Sequence, residues 1–403
     1  MIYSFLRRFR IHFFVLVALA LFPLLSVIAC TRSRRATAQA RARRILIVPI
    51  LTRVGDLVCS TPVFREIKIH FPNAHIAVVV GRKAKGILAH NPRIDDLIDY
   101  NNERFHGFVG RCRFFYFLYS QKFDAAFSLG TSVIGTLSSI FAAAPLRVKT
   151  VVVHPPFFEM MTDWMNTDRV TYTHGTFLQK HYVSLLSAIG ISAGTPVKEI
   201  YTTEPGDAKS NEFIKRTFHA MPRLLIGITV SAGNKIKEWP LARFAEVADS
   251  LVEKYGTKII FIDSILNRKY IEEAMCLMKQ RVAAACAIDF SLEELPSLIK
   301  RLNAFIAVDT GNIYIAHALG VPLIDIIGPV EPNEQPPKDE KSIQVLPANG
   351  IKPTSFVFYS NECNDSHRPA VLSITAPQVV AAFELLIARG FVHTAPFLYE
   401  KNS

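Results

Sequence analysis

The sequence lacks the patterns typical of a nicotinamide enzyme, a zinc protein or a disulfide-stabilised secreted domain. Its first apolar run is followed by Leu-Thr-Arg-Val-Gly-Asp rather than by G-x-G-x-x-G, which disfavours a nicotinamide or flavin cofactor. The six cysteines contain no C-x-x-C pair and have no histidine partners at zinc-finger spacing. We therefore expect a reducing compartment, no cofactor and no metal ion.

Acidic residues are absent from residues 1–44, which contain nine arginines, while the whole chain of 403 residues has a net charge of +12. The remaining chain therefore carries only 12 − 9 = +3. A balance this close to neutral argues against a basic nucleic-acid-binding surface, and we predict no nucleic-acid partner. The length and the 50% hydrophobic content are sufficient for two cores.

Formal charge is also absent from residues 11–30, which are interrupted only by His12 and Pro23. A helix of this length can cross a hydrocarbon layer of about 30 Å. Three arginines precede the segment and six follow it, which favours a cytoplasmic body on a single-pass anchor in the bacterial inner membrane. Two alternatives remain open. Val-Ile-Ala-Cys ending at Cys30 resembles a lipoprotein cleavage box, and the true start of the protein could lie just upstream of Arg44.

Strand-like and helical segments alternate through most of the chain, which predicts βαβ units and parallel sheets. The rhythm restarts near residue 224, and 201–210 is the predicted linker. Thr61-Pro62 predicts a helix start, with proline in the first turn. The predicted strands are 45–50, 75–81, 96–100, 124–129, 147–153, 224–230, 258–263, 304–309 and 322–328. The predicted regions are a membrane anchor and basic tract (1–44), an N-terminal domain (45–205), a C-terminal domain (206–376) and a C-terminal helix and tail (377–403).

Polar residues follow several of these strands, at the carboxyl edge where open α/β sheets bind ligands. Asp56, after the first strand, is either a helix cap or a functional carboxylate. Ser231 and Lys237, after the first strand of the second half, have the composition of an anion site. The alternative is a solvated lysine before a proline-started helix near residue 241. Asp309, Thr310 and Gly311 are either a cap and tight turn or a site for phosphate or ribose.

The order of these motifs resembles the ADP-heptose:lipopolysaccharide heptosyltransferases of glycosyltransferase family nine. The resemblance extends from about residue 43 to residue 389. It is carried by Gly55-Asp56 with Thr61-Pro62, by Lys237 with Trp239-Pro240 and Arg243-Phe244, by Asp309-Thr310-Gly311, by Ala316 to Pro322, and by Ile327-Gly328-Pro329.

The resemblance implies a GT-B fold, with two Rossmann-like domains that face a cleft. It implies an acceptor on the first domain and a nucleotide-diphosphate sugar, such as ADP-heptose, on the second. Asp56 then corresponds to the catalytic base, and the donor-binding residues are Ser231, Lys237, Asp309, Thr310 and Gly311. The implied reaction is a metal-independent, inverting transfer of heptose or a similar sugar to lipopolysaccharide or another lipid-linked glycan.

The sequence departs from the family pattern in two places. Segment 263–267 lacks the glycine-rich turn and following glutamate that are expected to hold the ribose, and Tyr314 stands where the family usually has a histidine. Tyrosine donates a hydrogen bond but carries no positive charge near neutral pH, so donor contacts are expected to differ. The alternatives are therefore a transferase that uses another nucleotide-sugar, and a non-catalytic glycan-binding relative or exported lipoprotein. Topology separates the last of these, since nucleotide-sugars are cytosolic.

Overall fold

A computed structural model describes residues 2–33, 43–192, 194–358 and 368–394, with side chains of the first helix described from residue 12 to residue 31. Most of the predicted basic tract, together with Cys363, lies outside these ranges. The chain divides into two compact units, Met1–Glu199 and Ile200–Ser403. Each unit is built on its own six-stranded parallel sheet. That the units face a common cleft stays a prediction.

The N-terminal unit begins with a long apolar helix and continues as an alternating α/β domain. Its strands are β1 (Arg44–Val48), β2 (His75–Val80), β3 (Asp96–Asp99), β4 (Ala125–Ser128), β5 (Leu146–Val151) and β6 (Asp168–Thr171). Its helices are α1 (Ile2–Ser33), α2 (Val54–His70), α3 (Gly107–Ser120), α4 (Val133–Phe141), α5 (Phe157–Asp163) and α6 (Leu178–Ser184).

The C-terminal unit repeats the alternation. Its strands are β7 (Leu225–Thr229), β8 (Lys258–Ile262), β9 (Ala284–Ala287), β10 (Ala304–Val308), β11 (Leu323–Ile326) and β12 (Ser342–Val345). Its helices are α7 (Glu204–Phe218), α8 (Leu241–Tyr255), α9 (Arg268–Leu277), α10 (Leu295–Ile299), α11 (Gly311–Ala318), α12 (Arg368–Leu372) and α13 (Ala376–Ala388). One face of α13, which includes Val379, Phe383 and Leu386, is buried in the core of this unit.

Both sheets have the same strand order. The first runs β3-β2-β1-β4-β5-β6, and the second runs β9-β8-β7-β10-β11-β12. In each sheet the order therefore reverses beside its first strand, between β1 and β4 and between β7 and β10. Such a reversal opens a crevice at the carboxyl ends of the two strands, where doubly wound proteins bind ligands. Strands β7 and β10 are buried along their whole length, as expected for a sheet covered on both faces.

Two sequence predictions about helix starts are wrong. Helix α2 begins at Val54, so Pro62 lies inside it rather than in its first turn. Pro62 has no N–H to donate to the carbonyl of Val58, and the Thr61 hydroxyl donates to that carbonyl instead, at 2.8 Å. The predicted linker 201–210 is largely helical, because Thr203 caps α7 by accepting from the Gly206 N–H at 3.1 Å.

Helix α1 is the element that the sequence predicts to contact a membrane. Its segment His12–Thr31 is long and apolar enough to cross a bilayer, with a mean hydropathy of 2.8. Length and composition alone make it a candidate span. The inner side of the helix packs on the N-terminal unit through Phe14, Val15 and Ala18, all buried.

Candidate functional site

The reversal between β7 and β10 brings together two residues that the sequence singles out. Lys237 follows β7 and Asp309 follows β10, and the Lys237 ammonium lies 2.6 Å from Asp309 Oδ2. The carboxylate side chain is 4% exposed and the lysine side chain 21% exposed. The alternative of a solvated lysine is therefore wrong. The charge of Lys237 is paired with a buried carboxylate at the crevice.

The segment around Lys237 is fixed by its neighbours. A short 3₁₀ turn, Lys235–Lys237, is capped by the Asn234 side chain, which accepts from the Ile236 N–H at 3.2 Å. Trp239 is buried and its indole N–H donates to the Ile374 carbonyl at 3.0 Å. The following proline is the cap of α8, which begins at Leu241 as the sequence predicts. The backbone of Lys237 is thus fixed by contacts of the residues before and after it, and this fixes the position from which its side chain extends.

Asp309 is held in turn by α11. The Tyr314 hydroxyl donates to Asp309 Oδ1, so the two carboxylate oxygens have different partners. Thr310, not Asp309, is the cap residue of α11; its backbone is extended and its side chain makes no capping hydrogen bond. Asp309 is therefore not the cap, and the cap that the sequence allows for this segment is Thr310. Gly311 begins the helix, whose first N–H groups have no partners within the helix and suit an anion.

A second polar cluster lies at the ends of β7 and β8. The Ser231 hydroxyl donates to Asp263 Oδ2 at 2.5 Å. The Asn267 amide donates to Ser231 Oγ and to Asp263 Oδ1, both at 2.8 Å. Beside them, Leu266 is 86% exposed, an unusual placement for a large apolar side chain at a polar edge. A carboxylate that ends the second strand of such a sheet is placed to accept from ribose hydroxyls.

Asp56 lies at the corresponding edge of the N-terminal unit. It is the third residue of α2, the helix that follows β1, and it is 2% exposed. The cap position belongs to Arg53, so Asp56 is not the helix cap, and an Arg53 guanidinium nitrogen lies 3.9 Å from its Oδ2. Burial raises the pKa of Tyr182 well above its ordinary value, and the negative charge of Asp56 adds to this rise. Asp56 therefore sits in a poorly solvated position beside one exposed cation.

Sequence reasoning thus placed five donor candidates on one edge of the C-terminal unit: Ser231, Lys237, Asp309, Thr310 and Gly311. The sequence marks 263–267 only as a departure from the family pattern and does not predict that Asp263 and Asn267 complete the Ser231 cluster, or that Tyr314 donates to Asp309. The sequence carries one signal for the first pair, because Asp263 ends a predicted strand and Asn267 stands four residues later.

Two parallel sheets of this order, each with polar side chains at its point of reversal, define a doubly wound α/β protein of the GT-B-like class. The family is shown by sequence. The family model described as glycosyltransferase family 9 (heptosyltransferase) matches residues 111–357, which is more than half of the chain. The chain belongs to this family and is a glycosyltransferase.

Individual relatives agree with this assignment. The chain is 26% identical over 302 residues to lipooligosaccharide heptosyltransferase 2 of Haemophilus influenzae, covering 72% of this chain and 84% of that protein. Its fold is similar to that of a family 9 glycosyltransferase from Veillonella parvula, with a TM-score of 0.71, 21% identity and coverage of 86% and 98%. It is also similar to the E. coli ADP-heptose LPS heptosyltransferase II, with a TM-score of 0.68, 20% identity and coverage of 86% and 99%.

Proposed function

We propose that this glycosyltransferase moves a heptose or similar sugar from a nucleoside diphosphate donor to lipopolysaccharide or another lipid-linked glycan, with inversion at the anomeric carbon. The observation that carries the proposal is the pair of Lys237 with buried Asp309 at the reversal of the second sheet. The names of its relatives, which include ADP-heptose and lipopolysaccharide heptosyltransferases, support the sugar and the acceptor class.

The donor roles follow from the chemistry of each group. Lys237 supplies a positive charge for the diphosphate, and the N–H groups at Gly311 add donors from the start of α11. Asp309 orients the lysine, and the Thr310 hydroxyl is a further contact for phosphate or sugar. Asp263, with Ser231, is placed to accept from the ribose. Charge that develops on the departing diphosphate is then stabilised by the protein itself, without a metal ion.

Asp56 is the proposed catalytic base. Its carboxylate is buried in the first turn of α2, at the edge of the first sheet where β1 ends, and a carboxylate there can accept the proton of an attacking hydroxyl. The acceptor hydroxyl adds to the anomeric carbon as the bond to the nucleoside diphosphate breaks. Direct displacement of this kind inverts the anomeric configuration.

The proposed location is the cytoplasmic side of the bacterial inner membrane, where nucleotide-sugars are available. Residues 11–30 provide the attachment, and the arginines that follow them favour a cytoplasmic body. The sequence predicts a single crossing. An active cytoplasmic reporter at the C-terminus is expected, and labelling of Cys30 with diacylglycerol would support the exported lipoprotein instead.

The test is a thermal-shift screen of the full chain in detergent against a panel of nucleotide-sugars, since a ligand that binds only the native state raises the melting temperature. Transfer from the best ligand to a lipopolysaccharide acceptor, with the product anomer read by NMR, tests the reaction and its stereochemistry. Activity should survive EDTA. Stabilisation without transfer to any acceptor would contradict the enzyme and favour a glycan-binding relative.

A different nucleotide-sugar is the second candidate, and Tyr314 is the observation that favours it. The tyrosine fills the family's histidine position and is committed to Asp309. The cationic group that a histidine can supply is therefore missing at this point of the donor site. The same screen decides between the donors, since the preferred one gives the larger stabilisation.

A further inference from the structure

The two faces of α1 have different surroundings although both are apolar. The inner face is covered by the N-terminal unit: His12 stacks on Phe158 with ring centroids 4.0 Å apart, and Phe22 meets Trp164 at 5.0 Å. Ala29, near the other end, is also buried. From residue 12 to residue 29 the helix therefore lies along the body for about 26 Å, at 1.5 Å per residue.

The outer face continues onto the neighbouring helices as exposed apolar surface. The rings of Phe108 in α3 and Phe14 in α1 stack with centroids 5.5 Å apart, and Trp164, the C-cap of α5, contacts Phe22 of α1. Both α3 and α5 therefore border α1. Eight large apolar or aromatic side chains on α1, on α3, and on α5 with its C-cap are each more than half exposed. They are Leu16, Leu24, Val27, Val109, Tyr116, Phe157, Met160 and Trp164. We call this set the α1 face; this many exposed apolar side chains on elements that border one another indicate a surface with a partner.

A crossing helix does not fit these contacts. With the body in the cytoplasm, the His12 end of a crossing α1 would lie at the far side of a hydrocarbon layer of about 30 Å. Either the contacts of His12 and Phe14 break, or the body enters the hydrocarbon. Entry would carry in Arg147 and the buried ion pair of Lys149 with Asp163, at 2.6 Å, and charged groups at that depth are costly.

We propose that α1 stays packed on the N-terminal unit and lies in the plane of the cytoplasmic leaflet, so that the α1 face is inserted among anionic lipids. The nine arginines and absence of acids in residues 1–44 suit anionic headgroups. Helix α3 adds Arg111 and Arg113 and has no acidic residue. Trp164 at the border is a residue type that favours the membrane interface. The proposal rests on the membrane attachment proposed above and places the N-terminal unit at the lipid surface.

The side of the membrane on which the N-terminus lies is the first test. A short N-terminal epitope is attached to the full chain, and protease is added to spheroplasts. An in-plane α1 protects the epitope until the cells are lysed, whereas a crossing α1 exposes it from the start. A C-terminal epitope, protected in both cases, controls for intact spheroplasts. Early cleavage of the N-terminal epitope alone overturns the proposal. Recovery of the whole chain in the soluble fraction refutes membrane attachment itself, so the two failures are distinguishable.

Trp164 provides a second test that needs no added probe on the protein. The chain has two tryptophans, and Trp239 is buried in the C-terminal unit. Purified full-length protein is mixed with phosphatidylglycerol-containing vesicles whose acyl chains are brominated. We expect quenching that disappears in Trp164→Phe, and weaker vesicle binding by Phe157→Gln, whose side chain is 61% exposed. Absence of quenching overturns the proposal; if the protein is then dimeric in sedimentation, a second copy covers the α1 face.

Discussion

Replacing Lys237 by methionine keeps the length of the side chain and removes its charge, with two separable consequences. The first concerns stability. Asp309 is almost completely buried and would keep only the Tyr314 hydroxyl as a described partner. Loss of one partner of a buried ion pair costs about 3 to 5 kcal/mol. Because the lysine is itself one-fifth exposed, water compensates part of this loss, and we expect about 1 to 3 kcal/mol.

The second consequence concerns the donor. A hydrogen bond to a charged group contributes about 1.5 to 3 kcal/mol, so affinity for the nucleoside diphosphate should fall about 10- to 100-fold. Affinity for the corresponding nucleoside, which has no phosphate, should stay unchanged. Isothermal titration of both ligands at a temperature well below the melting point measures the difference. The assay compares two ligands on one folded protein, so a general loss of structure would not imitate the result.

Two further variants separate the roles of charge and position. Lys235→Met removes the same charge from an exposed residue two positions away, and it should change neither stability nor diphosphate affinity by much. Lys237→Met combined with Asp309→Asn removes the unpaired carboxylate, so the melting temperature should recover while diphosphate binding stays weak. Normal diphosphate binding by folded Lys237→Met, or an equal loss in Lys235→Met, would refute the assignment of the anion site.

The remaining predictions concern three other side chains. Asp56→Asn should lower turnover about 100-fold or more with donor affinity kept, and stability should change by no more than about 1 kcal/mol, the usual contribution of an acid in a first helical turn; full transfer activity would end its role as base. Tyr314→Phe keeps the buried ring and removes the donor to Asp309, so stability should fall about 1.5 to 3 kcal/mol, and an unchanged melting temperature would show that this bond is not formed. His181 is buried against Thr150, and burial lowers its pKa from 6.5 to about 4. The folded state therefore binds this proton less readily than the unfolded state, and stability that is complete above pH 6.5 should be lost towards pH 4, by up to about 3 kcal/mol. Urea titrations across this range should show a loss that is smaller in His181→Asn, and identical profiles would contradict the argument.

The sequence predicts the central strands of both sheets and misses three of the four edge strands. The nine predicted strands match β1 to β5, β7, β8, β10 and β11 to within about two residues at each end. The missed strands β6, β9 and β12 are all at sheet edges. A central parallel strand is buried on both faces and appears as a continuous apolar run. An edge strand lacks such a continuous apolar run. Strand β6, Asp168–Thr171, is mostly exposed, and β9, Ala284–Ala287, has no β-branched residue.

Helix starts are harder to predict, because proline can stand in the first turn or inside a helix, and threonine can cap a helix or lie in a loop. At Pro62 the sequence pattern resembles a first turn, yet the helix begins at Val54. What decides is the preceding residue, since the Thr61 hydroxyl replaces the missing proline N–H as donor to the carbonyl of Val58. At Thr203 the error is reversed, and a segment that resembles a linker is the capped start of α7. Both outcomes depend on side-chain hydrogen bonds within one turn, which residue type alone does not determine.

The pairings of the candidate site depend on strand order more than on local sequence. Lys237 and Asp309 are 72 residues apart in the chain, and Ser231 and Asp263 are 32 apart. Nothing in either segment identifies the partner. Once β7 is known to lie between β8 and β10, however, the loops that follow these strands must meet at one edge. The sequence therefore identifies the residues of the site, and the strand order determines which of them are neighbours. The local sequence is sufficient only for the bonds from Tyr314 to Asp309 and from Asn267 to Asp263, which join residues five and four positions apart.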